Sequence, residues 1–215
     1  MADLLRELFS YTFIVRAVIV GTLVSLCAAL LGVTLVLKRY SMIGDGLSHV
    51  GFGALAVAMG LNMAPLQVAI PIVTVTAFLL LRLSENSKIK GDSAIALISS
   101  SSLAIGVIVI SMTTGMNIDV CNYMFGSILT MSKNDVPLSI AVAGVVLVLY
   151  VLFYNRIFAV TFDESFAKAT GTKVERFNSL IAVLTALTIV VGMRMMGAML
   201  IQPHNLPRPD VHAGI

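Results

Sequence analysis

Apolar residues run in long, nearly unbroken stretches parted by short polar or charged breaks, and the breaks recur at the spacing that a bilayer sets. A helix rises about 1.5 Å per residue, so a hydrocarbon core about 30 Å thick takes roughly 20 apolar residues to cross. Residues 17–37 form one such span. The stretch 50–81 is too long for one helix, and Asn62, Pro65 and Gln67 interrupt it. The pattern there predicts a tight hairpin between helices over 42–61 and 65–83. Further spans are predicted over 93–112, 136–154 and 177–201. The last carries Arg194, which needs a carboxylate, backbone carbonyls or the outer interface as its partner. Residues 120–132, with Asn122, Gly126 and Ser127, are too short and too polar for a simple crossing and read as a re-entrant or half-membrane helix. The fold class that follows is all-α, a polytopic transmembrane helix bundle of about six spans plus that short segment.

Composition agrees. Of 215 residues, 58% are hydrophobic and 12% charged, and the mean hydropathy is +0.99. A soluble domain carries about 25% charged residues, so a water-soluble enzyme is excluded. The net charge of +3 does not point to nucleic acid, because the basic residues fall between the spans, where they set orientation. Lys38 and Arg39 follow the first span, Arg82, Lys88 and Lys90 the third, and Arg156, Lys168, Lys173 and Arg176 the fifth, nine of the fourteen basic residues. Arg6, Arg16 and Lys133 are the basic residues of the opposite connections before the last span. The positive-inside rule therefore places the three basic connections in the cytoplasm and the N-terminus outside. The start of the chain mixes acid and base and lacks a small-residue cleavage site, so the first span is expected to stay as a helix. Cys27 and Cys121 lie far apart and form no disulfide framework or paired-Cys metal motif. The serines 99–102 inside the fourth span suit close helix packing, and the twelve methionines read as core filler or lipid-facing side chains.

Chemistry concentrates at the start of the second span. Asp45 and His49 stand four residues apart and share one helix face. Two readings of the pair stand. A carboxylate one turn from an imidazole suits a divalent metal such as Zn or Mn, and an ionisable group inside a bilayer faces a bundle interior or a watery path. Alternatively, Asp45 serves the helix N-terminus electrostatically and His49 hydrogen-bonds a neighbour. Gly44, Gly46, Gly51 and Gly53 thin the helix surface around the pair, allowing close packing or a passage. No nucleophile constellation and no phosphate-binding Gly-Lys-Ser loop occur, so the chain is not expected to be an enzyme or to hydrolyse ATP itself. In the basic connection 161–178, Asp163 or Thr161 can cap a short helix, Phe166 and Ala167 supply its apolar face, and Gly171 ends it. Phe162, Phe166 and Ala167, offered together to the cytoplasm, mark it as a docking element.

Four stretches together resemble one family. They are Leu30-Leu-Gly-Val-Thr-Leu-Val-Leu-Lys-Arg39, Ser41-Met-Ile-Gly-Asp-Gly-Leu-Ser-His49, the run from Asn122 to Leu129, and Phe162-Asp163 followed by Phe166-Ala167 and Gly171. The chain resembles the membrane permeases of zinc- and manganese-type ATP-binding-cassette importers, of the ZnuB kind, over nearly its whole length to about Ile201. The resemblance implies passage of a divalent cation, delivered by an extracytoplasmic metal-binding protein, through a permease homodimer in the cell (inner) membrane. Two cytoplasmic ATP-binding-cassette ATPase subunits would drive it by alternating access. It implies that Asp45 and His49 lie on the metal pathway and that Phe162, Asp163, Phe166, Ala167 and Gly171 belong to a coupling helix seated on the ATPase. No permanently bound cofactor is implied, only the transported Zn or Mn.

The departure from the family is at the end. Residues 202–215 are polar where the family continues with apolar helices, so the expected division is an incomplete permease domain over 1–201 and an aberrant polar tail over 202–215. A choice of permitted codons for 201–215, read one base later, can give a family-like sequence, and the expectation is a truncation or frameshift near residue 201. His204 and His212 then carry no role. The competing function is a non-transporting remnant of such a permease. An intramembrane metalloenzyme lacks a clear third ligand and a general base, and the Asp45 and His49 pair favours a bare cation over a siderophore or cobalamin.

Overall fold

The computed structural model describes residues 11–38, 40–86, 91–113 and 135–196. Arg39, residues 114–134, among them the expected half-membrane segment and Cys121, and the tail 202–215 with the suspected frameshift lie outside the described residues, as does the side chain of Arg194. The described residues form eight helices: α1 (Thr12–Leu37), α2 (Ser41–Gly60), α3 (Pro65–Asn86), α4 (Gly91–Met112), α5 (Asp135–Leu152), α6 (Tyr154–Phe162), α7 (Glu164–Ala169) and α8 (Val174–Met196). Among the described residues five of them, α1, α2, α3, α4 and α8, are long and apolar enough to cross a membrane, and α5 and α6, bent by 70° at their junction, reach that length and hydropathy only when taken together.

The hairpin predicted in the long apolar stretch is present. Asn62 takes a left-handed φ of 53° after the end of α2, and the Met63 amide donates to the Ala58 carbonyl at 2.9 Å. That bond caps a carbonyl left over by the helix, which a short polar residue in the left-handed region makes accessible. Pro65 then opens α3, where a missing N–H costs nothing.

Two helices form the centre. In α2, 67% of the span is buried, and in α8, 61%; in α1 the figure is 28%, and in α4 only 11%. One core cluster joins Leu47, Val50 and Leu55 of α2 to Val73 and Leu80 of α3, Ile95 of α4, and Ala186 and Val190 of α8. A second joins Cys27 and Leu31 of α1 to Val146 of α5, Ile157 of α6 and Leu184 of α8. Small residues allow the closest approach. A Cβ at Gly53 would stand 2.6 Å from the Ser102 carbonyl oxygen, so α2 and α4 meet there backbone to backbone. Ser99 is buried and Ser102 supplies that contact, as the packing reading of the serine run expects, whereas Ser100 and Ser101 face outward.

The alternation read from charge has a geometric counterpart. Lys38 at the end of α1 touches Glu164 of α7, and Gly46 of α2 lies against Ile95 near the start of α4. Tyr40 and Leu81 pack in one cluster. The helix ends that border the basic connections therefore gather at one end of the bundle. One element departs from expectation: the fifth span stops at Leu152, and the chain bends into α6, which the reading of a span over 136–154 missed. Val160 and Ile157 anchor α6 to the bundle, while Tyr154, Phe158 and Phe162 follow one another along its exposed face.

Candidate functional site

The first turns of α2 carry the Asp45 and His49 pair. Spacing of four residues on a helix stacks the two side chains on one face, and His49 Nε2 lies 3.7 Å from Asp45 Oδ1. That is beyond a hydrogen bond, whose heavy atoms stand about 2.7–3.2 Å apart. Two donors on one tetrahedral zinc at metal–ligand distances of about 2.1 Å stand about 3.4 Å apart, so the pair is a few tenths of an ångström wider than that spacing. Both side chains are partly exposed within the bundle, 28% for His49 and 37% for Asp45. Their neighbour Ser48 is buried, its hydroxyl returned to the Gly44 carbonyl at 3.0 Å. Among the described residues no group of three His, Cys, Asp or Glu side chains gathers around a possible ion.

The docking element folds as its capping residues dictate. Asp163 is the N-cap of α7, and its carboxylate accepts the Phe166 amide at 2.9 Å. Gly171 ends the segment with φ +80°; its amide donates to the Lys168 carbonyl at 3.0 Å and the Thr172 amide to the Ala167 carbonyl at 2.9 Å. This paired closure requires a left-handed residue after the helix, which glycine adopts without a Cβ penalty. Phe162 and Phe166 are each 62% exposed. Ala167 does not join them. It is fully buried against Val160 and Val174, because the residue after Phe166 on a helix turns about 100° away, so its share in the element is to seat α7 on the bundle.

Sequence reasoning missed the polar contacts that hold this element. The Lys38 ammonium, whose side chain is only 3% exposed, donates to Glu164 Oε1 at 2.8 Å and also to Asn178 Oδ1 of α8. The Asn178 amide donates to the same Glu164 oxygen at 3.3 Å. At the other end, Arg156 of α6 donates to the Thr172 hydroxyl at 3.0 Å. Burial pushes the Glu164 carboxyl up, but the hydrogen bond and charge of Lys38, the Asn178 amide and the charge of Lys168 outweigh it and hold the group below its ordinary value. In the sequence Lys38 stood as a basic residue of the first connection and as part of one stretch of the resemblance; that it is drawn into the bundle appears only when three distant segments meet.

With this geometry in place, comparison with known proteins is informative. The ABC 3 transport family model matches residues 10–203. The chain is 27% identical over 195 residues to the manganese transport system membrane protein MntC of Halalkalibacterium halodurans, covering 91% of this chain and 67% of that protein. It is 28% identical over 187 residues to the high-affinity zinc uptake system membrane protein ZnuB of Haemophilus influenzae, covering 86% of this chain and 71% of that protein. Among solved structures, PsaBC from Streptococcus pneumoniae in complex with Fab superposes with a TM-score of 0.80 at 30% identity, over 93% of this chain and 72% of the other. The chain thus spans about two thirds to seven tenths of the length of these proteins.

Proposed function

The chain belongs to the ABC 3 transport family, and from that premise we propose that it is the multi-pass membrane permease of an importer of divalent metal cations, zinc or manganese, driven by ATP that a partner subunit hydrolyses. The observation that carries the reading is the pair of donors at 3.7 Å on α2, the most buried of the spanning helices. A carboxylate and an imidazole offer a hard oxygen and a borderline nitrogen, a donor set suited to zinc or manganese. Placed on an interior helix, they supply transient ligands to a cation that would otherwise have to shed its water against hydrocarbon. Both MntC and ZnuB are named for such ions, which supports this substrate class over a bulky chelate.

The remaining parts follow from the same reading. An extracytoplasmic metal-binding protein delivers the ion, two copies of the permease enclose its path in the cell membrane, and cytoplasmic ATP-binding-cassette subunits dock on α7. Phe162 and Phe166 present apolar contact to that partner, Asp163 and Gly171 set the ends of the helix that bears Phe166, and Ala167 holds it to the bundle. Movement of α7 on ATP binding and release alternates access to the pair. The chain's own residues bind and release the ion, and bond breaking is left to the ATPase.

Uptake of radioactive zinc or manganese by cells that express the permease with its ATPase and binding protein tests the reading. Asp45→Ala and His49→Ala are each expected to abolish uptake while the protein still assembles with the ATPase. Normal uptake in both variants sinks the metal role of the pair. Gly171→Pro is expected to separate ATP hydrolysis from transport at unchanged membrane content, because proline cannot adopt the φ of +80° found there; unchanged coupling counts against docking through α7.

A further inference from the structure

Lys38 is a buried charge shared by three parts of the molecule. Its backbone ends α1, the amide donating to the Thr34 carbonyl at 3.1 Å. Its ammonium reaches Glu164 of α7 at 2.8 Å and Asn178 of α8. Directly after it the chain turns, the Tyr40 amide donating to the Leu35 carbonyl at 2.8 Å, and α2 begins at Ser41. A connection this short ties the start of α2, and with it Asp45, to the end of α1. Asn178 leads by a second route, since α8 carries Ala182, Ala186 and Val190 into the cluster formed by Leu47 and Val50 of α2.

We propose that Lys38 is a positioning residue that carries displacement of α7 to the Asp45 and His49 end of α2, with Glu164 as the contact that α7 pulls on and Asn178 as the branch to α8. The physical ground is the cost of separating the three groups. The Lys38 side chain is only 3% exposed, so an ammonium parted from the Glu164 carboxylate would keep Asn178 Oδ1 as a partner and gain little water in exchange. When α7 shifts, Lys38 and Asn178 follow it, whereas an exposed ion pair would exchange its partner for water. The Arg156 bond to Thr172 holds the far end of the same segment to α6, so α7 moves as one piece with its supports. The inference rests on the permease reading of α7 and adds to it the route by which the bundle senses the ATPase.

The test uses the whole permease reconstituted in vesicles with its ATPase and binding protein, with manganese as the transported probe. The readout is ions imported per ATP hydrolysed, beside the amount of complex assembled. Glu164→Gln keeps the shape of an exposed side chain and puts folding at little risk; it is expected to lower ions per ATP by about threefold, and Lys38→Met by up to about thirtyfold, at unchanged assembly. The exchanged pair Lys38→Glu with Glu164→Lys is expected to recover part of the loss, and no recovery would show that the ion pair between these two residues is not the contact that matters. Unchanged ions per ATP in Glu164→Gln and Lys38→Met overturns the proposal. A second measurement separates it from its premise: the distance between spin labels at Ser165 and Val36, without any partner, is expected to be narrow in the unaltered chain and broadened in Lys38→Met. If the unaltered complex imports no metal, the permease reading falls, and equal label distributions in the two chains then dispose of the positioning role as well.

Discussion

Helices α2 and α4 pack against each other and are nearly equal in length, 20 and 22 residues, yet 67% of the α2 span is buried and 11% of the α4 span. The more apolar of the two is the more exposed. Leu97, Ile105 and Ile108 of α4 point out of the bundle at 65%, 53% and 57% exposure, while α2, with Asp45, Ser48, His49 and five glycines, occupies the interior. In water the order would be reversed. Where the solvent is hydrocarbon, lipid is as apolar as leucine, so burial confers nothing on an apolar face; it goes to helices whose small residues allow close backbone approach and whose polar groups need partners.

The comparison can be broken most directly at Gly53. A leucine there collides with the Ser102 carbonyl, which belongs to backbone and cannot rotate aside, at an expected cost of about 3 kcal/mol. Gly53→Leu should lose most of its folded protein in detergent by size-exclusion chromatography, and a melting temperature equal to the unaltered chain would mean that the two helices are not in backbone contact. The next largest effect concerns chemistry. Asp45→Asn and His49→Gln keep the size of the side chains and should lower metal uptake about tenfold or more, whereas Ser100→Ala and Ser101→Ala on the outward face of α4 should leave it unchanged. Uptake that responds equally to both sets would erase the distinction between an inner, ligand-bearing helix and an outer one.

Acid probes the end of the bundle. Because the folded Glu164 carboxyl is held below its ordinary value of 4.5, its stabilisation of the α7 seat is fully present above that pH and is lost as pH falls through the lower, folded value. With 45% of the Glu164 side chain exposed, solvent screening limits the effect to about 1 kcal/mol. Cleavage of the α7 segment by an acid-tolerant protease should quicken over that range, and Glu164→Gln should flatten the dependence; a variant with the same profile would assign it to another group. The smallest effect sharpens the comparison from the other side: Leu97→Val or Ile105→Val on α4 should move the unfolding free energy by less than about 0.5 kcal/mol, and a larger loss would show that this face is packed in the assembled protein.

Much of this was legible in the chain. Spans and hairpin follow from the length of apolar stretches and from Asn62 and Pro65, because backbone polar groups in hydrocarbon must be satisfied within the segment and leave helices as the outcome. The capping of α7 by Asp163 and its end at Gly171 are local events between residues a few positions apart, so sequence spacing anticipates them. The inward turn of Ala167 was misjudged, since a two-residue apolar cluster does not say which member faces the bundle. The bend at Phe153 and helix α6 were missed because a hydropathy pattern records length and not direction: Asn155 and Arg156 close the apolar stretch, but nothing in it says that the chain stays helical to Phe162 while the axis turns by 70°.

By itself the sequence determined the number and order of the spans, the gathering of the basic connections at one end, and the placement of a carboxylate and an imidazole on one helix face, because each depends on residues close together in the chain. Only the tertiary structure decided that α2 and α8 take the centre and α4 the periphery, and that Lys38, Glu164 and Asn178, separated by 126 and 14 positions, meet in one hydrogen-bonded cluster. Such choices rest on which surfaces can approach and which charges find partners, and these are properties of the assembled bundle that no single segment carries.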